Sequence, residues 1–132
     1  MACDIVVDIR NPDDIVDARK AGHHLALDLG FSLTDVTMIA TAISEIARNI
    51  TSYAGRGAVQ VAVAEREGRK ALVVRAEDDG PGIADIEAAL KDGYTSGKGM
   101  GLGLGGAKRL SNEFSIHSKP GEGTKVVIAR WK

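Results

Sequence analysis

The residues from 77 to 106, EDDGPGIADIEAALKDGYTSGKGMGLGLGG, hold most of the unusual backbone in this chain and constrain its fold more than any other stretch. Two glycine clusters, Asp78-Asp79-Gly80-Pro81-Gly82 and the run 97–106, bracket a short polar segment, and the second leads into a helical pattern that begins near Leu102. Glycine lets backbone amides crowd around a ligand. A helix start adds unpaired N–H donors and a partial positive charge, so the pattern points to a phosphate held there. Asp78 follows the apolar run 71–76. At the end of a buried strand, a fixed carboxylate can accept a hydrogen bond from a ligand's amine.

Three phosphate motifs compete for these glycines. Gly101-Leu102-Gly103-Leu104-Gly105-Gly106 fits the dinucleotide fingerprint by letter, but residues 93–100 are not the β-branched strand that must precede it. Gly93-Tyr94-Thr95-Ser96-Gly97-Lys98 is a Walker loop short of one spacer, with Gly99 where a magnesium-binding Ser or Thr belongs. What remains is a D-x-G-x-G box (Asp78, Gly80, Gly82) followed by a G-x-G-x-G box (Gly99, Gly101, Gly103). That pair predicts an acidic helix motif upstream, which Glu45 and Asn49 supply.

In this order the boxes resemble the GHKL superfamily of ATP-binding domains, which includes gyrase, chaperone ATPases, MutL, histidine kinases and anti-sigma-factor kinases. Within it the chain is most similar to the RsbT-type switch serine/threonine kinases, through Ser44-Glu45-Ile46-Ala47-Arg48-Asn49-Ile50, Glu77-Asp78-Asp79-Gly80-Pro81-Gly82-Ile83, Lys108-Arg109-Leu110 and Gly123-Thr124-Lys125-Val126-Val127. The resemblance covers essentially the whole chain. It implies a Bergerat ATP-binding fold with ATP and Mg²⁺ as cofactors, and it assigns Glu45 as catalytic base and Asn49 as magnesium ligand. It also places Asp78 on the adenine amine, Thr124 at the base, and Gly80, Gly82, Ile83, Gly97, Lys98, Gly99, Met100, Gly101, Gly103 and Leu104 around the nucleotide.

The totals agree with one nucleotide domain spanning residues 1–132. That length supports a single core without staples, and a formal charge of −1 argues against a nucleic-acid surface. Cys3 is the only cysteine, which excludes a disulfide framework and a cysteine zinc site and suits a reducing compartment. The first residues do not read as a signal peptide, and no apolar run reaches membrane-spanning length. A cytoplasmic protein without membrane contact is expected.

Along the chain, residues 3–9 alternate as a first strand, and Asn11-Pro12-Asp13 opens a helix that Gly30 ends. His23 and His24 lie in that helix and are given no chemistry. Ser32 reads as the N-cap of a long amphipathic helix to about Tyr53. Its stripe is Val36, Ile39, Ala40, Ile43, Ile46, Ala47 and Ile50, while Glu45 and Asn49 point about 110° to 150° from the stripe's centre, side by side at i, i+4. A solvated pair would be the plain expectation for such a Glu and Asn, and the glycine boxes reverse it. An amide oxygen suits Mg²⁺ beside phosphates, and a carboxylate one turn earlier can take a proton from an attacking hydroxyl. Arg48 falls on another face and serves either a partner contact or a surface ion pair.

Residues 58–65 and 70–77 read as antiparallel strands joined at 66–69, the second delivering Asp78. A short helix over 83–92 and a lid over 93–100 follow, in which Lys98 either contacts phosphate or stays free. A helix over 102–110 and a hairpin of strands 113–118 and 124–131 close the chain. These elements predict an α+β, two-layer α/β sandwich with a mixed, mainly antiparallel sheet and helices on one face. The function expected is a serine/threonine protein kinase of a stress-signalling partner switch. It would phosphorylate a STAS-domain protein, in a stressosome-like complex, and be released to a second target such as a phosphatase. The alternatives are an ATP-dependent anti-sigma factor that sequesters its partner without phosphotransfer, and an ATPase subunit of a larger assembly.

Overall fold

A computed structural model describes residues 4–82 and 103–132. The expected helix over 83–92, the lid, and Ile83, Gly97, Lys98, Gly99, Met100 and Gly101 lie outside the described residues, as does Cys3.

Strand β1 (Ile5–Ile9) leads into helix α1 (Pro12–Leu29), whose start is fixed locally. The Asn11 side chain accepts from the Asp14 amide while the Asp14 carboxylate accepts from the Asn11 amide, a capping box with Pro12 just inside the helix. Gly30 ends α1 in the left-handed conformation (φ 85°), returning its N–H to the Ala26 and Leu27 carbonyls. Helix α2 (Leu33–Tyr53) begins with the Ser32 hydroxyl accepting from the Asp35 amide at 3.1 Å.

Strands β2 (Gly57–Arg66) and β3 (Arg69–Asp78) pair in register up to Arg66 opposite Arg69. The ladder is longer than the alternation predicts because only Glu67 and Gly68 form the turn, both at positive φ (53° and 78°), a two-residue connection whose twist suits a hairpin. Helix α3 (Gly103–Arg109) precedes β4 (Glu113–Ser118) and β5 (Thr124–Trp131). The sheet order is β1-β2-β3-β5-β4, with β5 inserted between β3 and the edge strand β4. All four pairings among the described residues are antiparallel, where the sequence expectation is a mixed, mainly antiparallel sheet.

The two layers meet where alternate strand residues face the helices. Val59, Val61, Leu72, Val74, Val126 and Ile128 pack with Val36, Ile39, Ile43, Ile46 and Ile50 of α2, each at most 4% exposed. Burying one such side chain stabilises by roughly 1.5–3 kcal/mol before entropy is charged against it. Helix α2 therefore lies centrally over the sheet, flanked by α1 and α3. This placement sets up the site, because a central helix is covered on more than the one stripe its periodicity shows.

Candidate active site

Glu45 and Asn49 are 4% and 8% exposed, although their angular position on α2 predicts a face away from the apolar stripe. Packing of α3 against α2 accounts for cover beyond the sheet-facing side, with Leu104 and Ala107 of α3 buried in the same core. Leu104 is thus a core side chain, 3% exposed, and only its backbone is left to serve a ligand.

Arg48 is not a free surface cation. Its Nη1 donates to Glu45 Oε1 at 3.2 Å, across i, i+3, with the Arg48 side chain 28% exposed. The ion pair considered for Arg48 from the sequence is therefore made with the candidate base itself. The Asn49 amide forms no hydrogen bond with another described residue. An amide oxygen one turn from a carboxylate fits a hard cation that takes its remaining ligands from phosphates and water. Among the described residues no cluster of three His, Cys, Asp or Glu side chains could hold a metal by itself.

At the end of β3, Asp78 faces the helical layer in register with Gly57 of β2 and Thr124 of β5. Asp78 Oδ1 accepts from the Gly80 amide at 2.9 Å. Burial pushes the Asp78 carboxyl above its ordinary value; the Gly80 and Thr124 amides pull it back, and the adjacent Asp79 adds to the rise. Asp79 itself is exposed.

The box glycines have tertiary reasons to be glycine. A Cβ on Gly80 would sit 2.4 Å from the Ala54 Cβ at the end of α2, and one on Gly82 (φ 79°) would sit 2.1 Å from the Lys119 carbonyl oxygen. The Gly121 amide also donates to the Pro81 carbonyl at 2.7 Å. The Asp78 corner is thus wedged between the end of α2 and the β4–β5 hairpin loop. It stands only about five residues, or roughly 7.5 Å along a helix axis, beyond Asn49.

Thr124 is 7% exposed and its hydroxyl lies 2.8 Å from that of Ser118. Ser118 donates to the Gly123 carbonyl at 3.0 Å, so Thr124 is the donor between the two hydroxyls and its own oxygen remains an acceptor. Ser118 was not singled out from the sequence. The signal was there, since the two residues flank the hairpin loop and pair across it. Two open depressions of about 530 and 380 Å³ flank Glu77, Asp78 and Asp79, and neither is lined by Glu45 or Asn49.

A buried Glu/Asn turn on a central helix, next to a desolvated Asp at a glycine corner, is a constellation that can be compared with known proteins. Residues 34–132 match the histidine kinase-, DNA gyrase B-, and HSP90-like ATPase family. The chain belongs to that family. It is 48% identical over 118 residues to the serine/threonine-protein kinase RsbT of Bacillus subtilis, covering 89% of each chain, and groups with the RsbT-type kinases. It is 29% identical over 118 residues to the anti-sigma F factor of Clostridium acetobutylicum, covering 86% of this chain and 82% of that one. Two solved structures share the fold at 18% identity: the mycobacterial sensor histidine kinase MprB (TM-score 0.52, 98% of this chain and 97% of that one) and a chain of the SiaB-SiaC complex from Pseudomonas aeruginosa (TM-score 0.53, 98% and 89%). The ATP-binding α+β sandwich inferred from the three boxes is therefore the architecture of this protein. No helix among the described residues is long and apolar enough to cross a membrane.

Proposed function

We propose that the protein transfers the γ-phosphoryl group of ATP to a serine or threonine of a STAS-domain partner in a cytoplasmic signalling switch, and that phosphorylation releases it to a second target such as a phosphatase. The observation that carries this reading is the buried Glu45 beside Asn49, in a chain 48% identical to a serine/threonine kinase. Asp78 accepts from the adenine amine, and the Thr124 oxygen adds a second acceptor nearby. The glycine box Gly99, Gly101 and Gly103 is assigned to the phosphates, and Ile83, Gly97, Lys98 and Met100 are assigned to the nucleotide with it. Asn49 would hold Mg²⁺, which when bound supplies charge neutralisation on the phosphates. Glu45 accepts the proton of the attacking hydroxyl as its oxygen bonds to the γ-phosphorus and the bond to the ADP oxygen breaks.

The phosphorylated partner carries nearly two negative charges beside Glu45 and the nucleotide, and this repulsion favours dissociation. The test is to incubate the protein with labelled ATP, magnesium and the STAS-domain protein encoded beside it, alone and within a stressosome-like assembly purified intact, following label and co-elution together. Label on a partner Ser or Thr and weaker co-elution afterwards are expected. An unlabelled partner that binds equally with and without ATP would remove the reading. The likeness to an anti-sigma F factor favours a second reading, an ATP-dependent anti-sigma factor. That reading requires a stable complex with a sigma factor and no phosphotransfer.

A further inference from the structure

Glu45 is a carboxylate with 4% of its side chain exposed, and a charge that deep is costly unless a counter-charge lies beside it. Arg48 is its only ion-pair partner among the described residues. Lys108 and Arg109 of α3, the other nearby helix, are exposed and belong to that helix's last turn. Arg130, the other partly buried arginine, is committed to Asp35 at 2.9 Å and to the Leu110 carbonyl at 2.8 Å. The contact from Arg48 engages Oε1 and leaves Oε2 without a hydrogen bond to any described residue. A glutamate has three side-chain torsions, and fixing one oxygen from the next turn of the same helix removes most of that freedom.

We propose that Arg48 is a positioning residue for ATP turnover: it holds Glu45 fixed through Oε1, so that Oε2 is presented to the attacking hydroxyl. The proposal rests on Glu45 being the base. The geometry suits it, because the guanidinium approaches from the partly exposed side while the Asn49 amide, one turn on from Glu45, is not engaged by it. In the step, the hydroxyl proton passes to Glu45, the hydroxyl oxygen bonds to the γ-phosphorus, and the bond to the ADP oxygen breaks. Arg48 touches none of the reacting atoms. Its loss should therefore lower turnover without changing ATP affinity.

The experiment is a double-mutant cycle on the full chain, reading ATP turnover both as phosphate released to water and as label transferred to the STAS-domain protein. Arg48→Ala is expected to lower kcat by about 10- to 100-fold with the KM for ATP within about twofold, the size of loss that misplacing a catalytic group produces. Arg48→Lys should recover most of that loss, and Arg48→Met, which keeps the stem but not the charge, should not. In the Glu45→Ala background Arg48→Ala should lower turnover no further. Thermal melting of the Met variant guards against a fold defect in the Ala variant. Unchanged or raised turnover in Arg48→Ala and Arg48→Met, a Lys variant no better than Met, or a further loss in the Glu45→Ala background would each overturn the proposal. Full turnover in Glu45→Ala instead removes the base assignment. An unlabelled STAS protein with normal hydrolysis removes only the acceptor, leaving the cycle to be read on hydrolysis.

Discussion

The carboxylate of Glu45 sits on a regular helix with a guanidinium 3.2 Å away, whereas that of Asp78 sits at a strand end facing backbone amides, with an acidic neighbour following it. Glu45 is buried and Asp78 partly so. One is compensated by a side chain and the other by the main chain, and the difference suits the role proposed for each. A base must present a charged oxygen to a transient species, so a full counter-charge that fixes it is an advantage. An acceptor for a ligand's amine gains most if its desolvation is left unrelieved until the ligand arrives, because the missing hydrogen bond is then supplied by binding. The helix side of the site is thus built from side chains on a rigid scaffold. The corner side is built from backbone that glycines allow to pack closely against Ala54 and Lys119.

The largest effect expected is on chemistry alone. Glu45→Ala should lower phosphotransfer by about 10²- to 10⁴-fold, the range for removing a general base, while ATP binding measured by calorimetry stays within about twofold. Asn49→Ala, one turn away, should instead lose the magnesium-dependent part of ATP affinity. Equal phenotypes for the two would dissolve the distinction between a reacting and a binding residue within this turn.

Gly82→Ala tests whether the corner is held by backbone. The positive φ alone costs about 1–3 kcal/mol for a residue with a Cβ, and the overlap with the Lys119 carbonyl adds to it. A fall in Tm of about 5 °C or more, with weakened ATP binding, is expected by melting and calorimetry. An alanine variant as stable as wild type would mean that the hairpin loop does not brace the corner.

Asp78→Asn should have opposite effects on binding and on stability. ATP affinity should fall by about 10- to 100-fold, the loss of one charge-assisted hydrogen bond, because the amide can present a donor where the carboxylate is acceptor-only. The ligand-free variant should melt at or above wild type at pH 7. Since folding raises the pKa of Asp78, the stability this group contributes is fully present below its unfolded pKa and is lost as pH rises through the folded value. The advantage of the Asn variant should therefore shrink as pH is lowered from 7 through the raised value toward the ordinary carboxylate range. A variant that is destabilised at pH 7 and spared at acid pH would reverse the sign and make Asp78 a charge the fold favours.

Lys125→Ala is expected to do least. The Lys125–Glu77 pair spans 3.6 Å beside the corner with both side chains about half exposed, and such pairs contribute about 0–1 kcal/mol. A clear change in ATP affinity on its removal would show that side-chain charge, rather than the Gly80 and Thr124 amides, sets the electrostatics around Asp78.

Local chemistry wrote the element list into the sequence. Asn11, Pro12 and Asp14 start α1, Gly30 stops it, Ser32 starts α2, and the hairpin of β4 and β5 falls at its expected residues, because capping and turn geometry depend on neighbours a few positions away. The three ordered boxes likewise sufficed for the superfamily, since their spacing is a property of the chain alone. Helical periodicity could place Glu45 and Asn49 side by side, but not say that they are buried, because that depends on what distant parts of the chain pack around α2, α3 among them. The same reason hid the partner of Arg48, the insertion of β5 between β3 and β4, and the contacts that require glycine at Gly80 and Gly82. Periodicity reports which residues share a face; only the tertiary structure decides which faces are covered, and so which charges must be compensated and by what.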